Sequence, residues 1–124
     1  MEEIIEFHDS RISSIEERKN NLCIFFSHAY IYAKGSGWSQ KAKLLIRSGK
    51  LIDQPSSYPV SISEGELNMP AMKYYDLLAL PFSEKGECEI NLILTNGEKI
   101  VATGYDPVVE LIGEREFLES VEQP

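Results

Sequence analysis

Apolar and polar residues alternate with a period of two along much of the chain, which is the pattern that β-strands produce. Residues 21–34 show it most fully. One side of this segment carries Ile24, Phe26, His28, Tyr30 and Tyr32. The other side carries Cys23, Phe25, Ala29 and Ile31. Because both sides are largely apolar, the segment is predicted to be a central strand with cover on both faces.

A second strand pair is predicted for residues 89–103, on either side of Asn96-Gly97. Asn-Gly is the preferred pair for a two-residue type I′ turn, since both central residues need a positive φ. Such a turn would place Thr95 opposite Glu98, Ile93 opposite Ile100, and Leu92 opposite Val101. Apolar residues would then occupy both faces, so this hairpin is also predicted to be covered on each side.

Shorter runs of the same alternation predict further strands. They cover residues 11–18, 40–47, 58–63, 65–69 and 108–112. Residues 11–18 are expected to pair with 21–34 across the Asn20-Asn21 turn. Pro59 and Pro70 mark the segments 58–63 and 65–69 as edge strands.

Two segments do not follow this pattern. Residues 70–80 fit either a helical turn beginning near Pro70 or an extended stretch, and the sequence leaves both open. Gly113 is read as a break, after which residues 114–121 are predicted to form a short helix. That helix would bury its three apolar side chains, Phe117, Leu118 and Val121.

These elements predict an all-β, mainly antiparallel fold, either a β-sandwich or a partly open barrel with a short C-terminal helix. No internal repeat or linker divides the chain, so residues 1–124 are predicted to form a single β-rich domain. Cys23 and Cys88 are predicted to be reduced thiols packed as small hydrophobes, because no Cys-x-x-Cys spacing accompanies them.

The charge balance narrows the choice of partners. The chain carries 12 Lys and Arg against 20 Asp and Glu, a formal net charge of −8. Such a balance disfavours nucleic acid, since phosphate binding needs a positive surface, and favours a basic protein partner. The acidic start, Met1-Glu2-Glu3, is unlike a signal peptide, and no apolar run approaches the roughly 20 residues that cross a bilayer. A cytoplasmic location without membrane contact is therefore expected, and self-association is left open.

Catalytic chemistry finds little support. His8 and Asp9 are adjacent, and adjacent residues on a strand point to opposite faces, so Asp9 is expected to bind backbone amides in a turn while His8 packs locally. His28 is expected to pack within its strand; a metal site would need both histidines with a carboxylate such as Asp9 or Glu6. No serine lies in Gly-x-Ser-x-Gly. No catalytic residue, metal or cofactor is therefore predicted, and the protein is predicted not to be an enzyme.

Residues 34–41 are the strongest binding candidate, because two glycines predict a mobile loop and the only tryptophan follows them. An exposed Trp38 beside Gln40 and Lys41 would form a hot spot for a protein or sugar partner. The alternative is that Trp38 folds back over the core. Tyr30 and Tyr32 would extend the same surface as a groove. The candidate binding residues are thus Trp38, Gln40, Lys41, Tyr30, Tyr32, His8 and Asp9.

The opening segment Phe7-His8-Asp9-Ser10-Arg11-Ile12, followed by a turn and a long strand, resembles a group of small bacterial proteins. Some of these are uncharacterised and others are classed as immunity proteins of polymorphic toxin systems. The resemblance covers about the first 30 residues. It implies a β-rich binding protein whose acidic surface meets a basic toxin, and it supplies no catalytic residues.

Charge, missing catalytic motifs and this resemblance together predict a non-enzymatic binding protein, immunity-like, with a basic protein partner. One alternative is a β domain that binds a small ligand or carbohydrate in an aromatic groove. Another is a metal-dependent enzyme using His8, Asp9 and His28.

Overall fold

The computed structural model describes residues 2–121, which form eight β-strands. In chain order these are β1 (Glu3–Glu17), β2 (Asn21–Ala33), β3 (Ser36–Asp53), β4 (Val60–Met69), β5 (Met72–Tyr75), β6 (Leu77–Leu80), β7 (Glu87–Leu94) and β8 (Lys99–Ser120). Every strand pairing is antiparallel. The predicted all-β, antiparallel class is confirmed. Within residues 2–121, no helix has the length and apolar character needed to span a membrane.

The strands form one continuous sheet in the order β5-β4-β7-β8-β3-β2-β1-β6. A further pairing joins β4 to β1, through Arg11 opposite Ser61 and Ile12 opposite Val60. This contact closes six of the strands into a ring, so the chain does not divide into two separate sheets. The short strands β5 and β6 lie outside the ring, beside β4 and β1 respectively.

The hydrophobic core fills this ring, and each of the six ring strands contributes to it. Representative side chains, one from each strand, are Phe7, Ile24, Leu44, Leu67, Leu92 and Ile100. Burial of one such side chain contributes roughly 1.5–3 kcal/mol. Their alternation with outward residues is therefore the main reason that the sequence adopts this fold.

Cover on both faces, expected for two segments, is found only at the start of the first, because the outer side of the rest of β2 is exposed or half-buried. Cys23 and Ile24 are neighbours in β2 and point to opposite faces, and both are 0% exposed. In β7, by contrast, Leu92 is buried while its neighbour Ile93 is 38% exposed. The prediction that the β7–β8 hairpin is covered on both faces is therefore wrong.

The turn of that hairpin also differs from the prediction. Leu92 pairs with Ile100, one position away from the expected register. Gly97 donates its N–H to the carbonyl of Leu94 at 2.9 Å, and Gly97 alone in this loop has a positive φ, of 89°. These are the features of a three-residue loop that ends in a glycine bulge rather than of a type I′ turn. The extra residue turns Ile100 inward, in place of Val101.

The predicted C-terminal helix is wrong, because β8 continues to Ser120. The final residues of β8 pair with β3, where Phe117 is opposite Trp38 and Glu116 is opposite Ser39. Gly113 adopts a positive φ of 70° without ending the strand. Pairing with a neighbouring strand thus outweighs the helical spacing of the apolar residues here.

Two further predictions are corrected in the middle of the chain. Residues 58–63 and 65–69 were expected to be separate edge strands, but β4 is one strand with an irregularity between Ile62 and Glu64. It pairs with β1, β5 and β7, so it is not an edge. Residues 70–80 take the extended alternative, as β5 and β6.

Candidate functional site

The first half of β1 and its second half have different neighbours, and the change occurs at Asp9. Residues 3–6 pair with β6, whereas Arg11 and Ile12 pair with β4. Asp9 itself has a φ of 66°, which bends the strand at this point. The bend brings β1 against the junction between β5 and β6, which is the single residue Asp76.

Asp76 binds β1 and β4 through both its backbone and its side chain. Its carbonyl accepts the N–H of Phe7 at 2.8 Å, and its own N–H donates to the carbonyl of Gly65 at 2.8 Å. Its Oδ1 accepts the backbone N–H groups of His8 at 3.1 Å and Gly65 at 3.3 Å. Oδ2 contacts Nδ1 of the His8 imidazole. Asp76 is only 9% exposed, so this carboxylate is fixed in a mostly dry environment.

The other imidazole nitrogen of His8 faces two more carboxylates. Nε2 lies 3.0 Å from Oε1 of Glu6 and 3.8 Å from Oδ2 of Asp9. Burial alone would lower the pKa of His8, but the hydrogen bond to Asp76 and the charges of Asp76, Glu6 and Asp9 together raise it above 6.5. Burial is also the main reason that the pKa of Glu6 is raised.

This arrangement orients an imidazole, but the described part of the chain supplies no nucleophile beside it. Ser10 is 1% exposed, donates its hydroxyl to the carbonyl of Glu6 at 2.5 Å, and accepts the N–H of Tyr30 at 3.0 Å. Its hydroxyl is therefore already hydrogen-bonded to backbone groups of β1 and β2. The two cysteines are free and buried, and burial raises the pKa of both thiols, that of Cys88 to about 11, so neither is activated.

The second histidine does not join this group. Nδ1 of His28 lies 2.5 Å from the hydroxyl of Ser39, on the neighbouring strand. Within residues 2–121, the residues placed to hold a metal ion are Glu6, His8 and Asp76. The predicted combination of His8 with His28 is thus not brought together.

Cross-strand partners share a face of the sheet, so Glu6, opposite Tyr30, lies on the same side as this tyrosine. Tyr30 donates its hydroxyl to Oε2 of Glu119 at 2.7 Å. We call this side the tyrosine face, and its members are Glu6, His8, Tyr30, Tyr32, Ser39, Glu116 and Glu119. Asp9 lies at its edge, and Lys41 is exposed on the same side of β3.

Tyr30 is held close to the sheet because Gly37 lies beneath it. A Cβ atom added to Gly37 would collide with the hydroxyl and ring of Tyr30. Burial, then the hydrogen bond and charge of Glu119, raise the pKa of Tyr30 well above 10, so the phenol stays protonated. The ring and the carboxylate beside it therefore form a fixed pair.

Trp38 and Gln40 lie on the opposite face, and the segment that carries them is strand β3 rather than a loop. The Trp38 indole donates to the carbonyl of Ala33 at 3.3 Å, and its ring meets Phe117 edge to face with centroids 5.4 Å apart. Gln40 is 8% exposed and donates to the carbonyl of Gly113 at 2.7 Å. The predicted mobile loop at residues 34–41 is therefore wrong, since only the turn at Lys34 and Gly35 separates β2 from β3.

Gln40 also belongs to a short ionic chain on this second face. Arg115 donates from Nε to Oε1 of Gln40 at 3.1 Å and from its guanidinium to Glu3 at 2.9 Å. The hydrogen bond from Arg115 lowers the pKa of Glu3. Glu3 also lines a cavity of about 510 Å³, together with Leu80, Pro81, Val109 and Leu111.

A larger concavity, of about 680 Å³, lies elsewhere on the molecule, and its lining includes Lys50, Asn68, Glu89 and Thr103. None of the candidate residues predicted from the sequence contributes to it. The Oδ1 atom of Asn68 is buried and has no hydrogen-bond partner among residues 2–121.

The predicted binding residues thus divide between two faces. His8, Tyr30, Tyr32 and Lys41 lie on the tyrosine face with Asp9 at its edge, and Trp38 and Gln40 lie on the other. Sequence reasoning missed Asp76, Glu119 and Arg115. Asp76 lies in the segment 70–80, for which the sequence left helix and strand both open. Its contact with His8 could therefore not be predicted from the sequence.

Comparison with protein-family models, curated proteins and solved structures found no match to this chain. The resemblance of the opening segment to small bacterial immunity-like proteins therefore stays a prediction.

Proposed function

We propose that the chain is a non-enzymatic binding protein whose tyrosine face engages a basic protein partner. The observation that carries the proposal is that Tyr30 lies beside two carboxylates. Its hydroxyl donates to Glu119, and Glu6 lies opposite it on the neighbouring strand β1. Glu116 and Tyr32 widen the same surface.

Tyrosine and carboxylate side chains together suit a basic partner for physical reasons. A tyrosine ring offers a large contact area at a low cost in side-chain entropy, and its face attracts the cation of Lys or Arg. Carboxylates steer a positively charged partner toward this surface and fix its orientation. The net charge of −8 extends this attraction over the molecule as a whole.

The test compares three forms of the protein as bait in a lysate of the native host, at low and at high salt. The first is the wild type, and the second is a Tyr32→Ala/Glu119→Gln variant of the tyrosine face. The third is the control Glu17→Gln, an exposed residue at the far end of β1 with the same change in charge.

We expect the wild type and Glu17→Gln to capture the same basic protein, with less captured at high salt. The tyrosine-face variant should capture at least ten-fold less. Equal capture by all three baits, or capture that is insensitive to salt, would contradict the proposal.

Binding of a small ligand is the second candidate, and the cavity of about 510 Å³ favours it. Its walls are mostly apolar, and Glu3 supplies a polar group, which is the usual composition of a ligand pocket. Trp38 lies on the same face as the Arg115–Glu3 pair, so its fluorescence is a suitable reporter. A saturable change with one member of a glycan and metabolite panel, lost in Leu111→Phe, would favour this candidate over the first.

A further inference from the structure

We propose that Glu6, His8 and Asp9 bind a divalent transition-metal ion, with Zn²⁺ as the representative ion, and that Asp76 orients the imidazole for it. This site adjoins the contact with a basic partner proposed above and shares Glu6 and His8 with the tyrosine face, but it does not use Tyr30 or Glu119. It rests on the convergence of an imidazole and three carboxylates where β1 changes its neighbour.

The distances from the imidazole suit a small metal ion, and Asp9 completes the ligand set by rotating toward Glu6, because the side chains that already lie close together are Glu6, His8 and Asp76. In a tetrahedral site with metal–ligand bonds of about 2.0–2.2 Å, adjacent ligand atoms lie roughly 3.3–3.6 Å apart. Nε2 of His8 lies 3.0 Å from Glu6 and 3.8 Å from Asp9, on either side of that value. Asp9 is exposed, so its side chain is free to adjust toward an ion.

Asp76 is suited to the supporting role rather than to direct ligation. Its Oδ1 already accepts two backbone N–H groups, and its Oδ2 contacts Nδ1 of His8. A carboxylate on one imidazole nitrogen fixes the tautomer and leaves the other nitrogen for the metal, which is the usual second partner of a metal-bound histidine. The nitrogen left here is Nε2, which faces Glu6 and Asp9.

The charge of the group favours a cation. Three carboxylates surround His8, so the group stays negative even when the imidazole is protonated. The side chains of Glu6 and Asp76 are only 19% and 13% exposed, which limits the screening of their charge by water. One imidazole with carboxylate oxygens suits Zn²⁺ or a similar transition metal better than Mg²⁺ or Ca²⁺, which prefer oxygen alone.

Isothermal titration calorimetry of the chelator-treated protein with ZnCl₂ tests this assignment, and MgCl₂ is the second probe. We expect one Zn²⁺ per chain and at least ten-fold weaker binding of Mg²⁺. His8→Gln should abolish Zn²⁺ binding, and Asp9→Asn and Asp76→Asn should each weaken it about 10–100-fold. His28→Gln is the matched control, because it removes the other histidine and should leave the affinity unchanged.

Absence of Zn²⁺ binding by the wild type would overturn the proposal, as would equal binding by His8→Gln or an equal loss in His28→Gln. If His8→Gln does not fold, Asp9→Asn decides, since Asp9 is exposed and Asn also tolerates its positive φ. The Glu119→Gln change should leave Zn²⁺ binding intact. Failure of partner capture and failure of metal binding are thus distinguishable.

Discussion

Asp76 and His8 are 68 positions apart in the chain, yet the carboxylate of Asp76 contacts both the backbone amide and the imidazole of His8. The same carboxylate accepts the backbone N–H of Gly65. One side chain therefore joins β1 to β4 at the point where β1 passes from one neighbour to another. Its contact with Nδ1 also leaves Nε2 as the nitrogen of His8 that faces Glu6.

Replacement of Asp76 tests its structural weight. Asp76→Ala leaves two backbone N–H groups without an acceptor, and we expect the free energy of unfolding to fall by about 2–4 kcal/mol. Asp76→Asn keeps an acceptor oxygen and tolerates the positive φ of 63°, so it should lose less. Urea unfolding of both variants measures this. A loss below about 0.5 kcal/mol in Asp76→Ala, the range of an ordinary surface change, would contradict the assignment.

Gln40 and Lys41 are neighbours with opposite environments, which makes them a matched pair. Gln40→Ala removes a donor to Gly113 and an acceptor from Arg115, so the free energy of unfolding should fall by about 1–3 kcal/mol. Lys41→Ala changes an exposed side chain and should stay within about 0.5 kcal/mol of the wild type. Similar losses in the two variants would show that the polar chain through Gln40 does not join β3 to β8.

Gly37→Ala tests the close approach of Tyr30 to the sheet. The added methyl group would meet the phenol ring, and displacing that ring should cost about 1–3 kcal/mol of stability. In the background of Tyr30→Ser the ring is absent, so the same change should cost markedly less. Thermal unfolding of the single and double variants gives this difference. An equal cost in both backgrounds would place the strain elsewhere.

Asp106 provides a pH-dependent contribution to stability. Its carboxylate accepts the N–H of Gly86 and the Nε–H of Arg47, each at 2.8 Å, and these two bonds, in that order, lower its pKa below 3.8. A carboxylate with a lowered pKa stabilises the fold at pH values above its pKa in the unfolded chain. This stabilisation is lost as the pH falls through its pKa in the folded protein. The melting temperature of the wild type should therefore exceed that of Asp106→Asn at pH 6, and the gap should narrow as the pH falls below 3.8. A gap that stays constant as the pH falls below 3.8 would contradict the assignment.

The strands could be predicted because alternation is a local property of the sequence. Most of residues 21–34 and 89–103 lies in strands, as predicted. The predicted faces of the first segment are wrong beyond Phe26, because an irregularity shifts the alternation and both Phe26 and Ala29 point into the core. The register of the second pair could not be predicted from Asn96-Gly97, because the same dipeptide fits a two-residue turn and a three-residue loop. One residue of difference moved Ile100 to the core.

The end of the chain shows the opposite limit. The spacing of Phe117, Leu118 and Val121 suits a helix. The first residues of β3, however, offer unpaired backbone groups on the side away from β2, and β8 pairs with them. Phe117 and Leu118 are consequently 53% and 42% exposed rather than buried. Only the three-dimensional position of β3 could reveal this.

The candidate site was half visible in the sequence. His8 and Asp9 stand out as adjacent polar residues at a strand bend, and Tyr30 and Tyr32 as aromatic residues on one face. Asp76 and Glu119 reach them from distant parts of the chain, and no local pattern marks such contacts. The fold is therefore needed to see that an imidazole and several carboxylates meet.

Asp76 holds the imidazole of His8 with Nε2 toward Glu6, and NMR titration of the His8 ring in chelator-treated protein measures this directly. We predict a pKa above 6.5 for His8, a proton on Nδ1 throughout the titration, and a lower pKa in Asp76→Asn. A His8 pKa at or below 6.5 that Asp76→Asn leaves unchanged, or a neutral ring protonated on Nε2, would contradict the account.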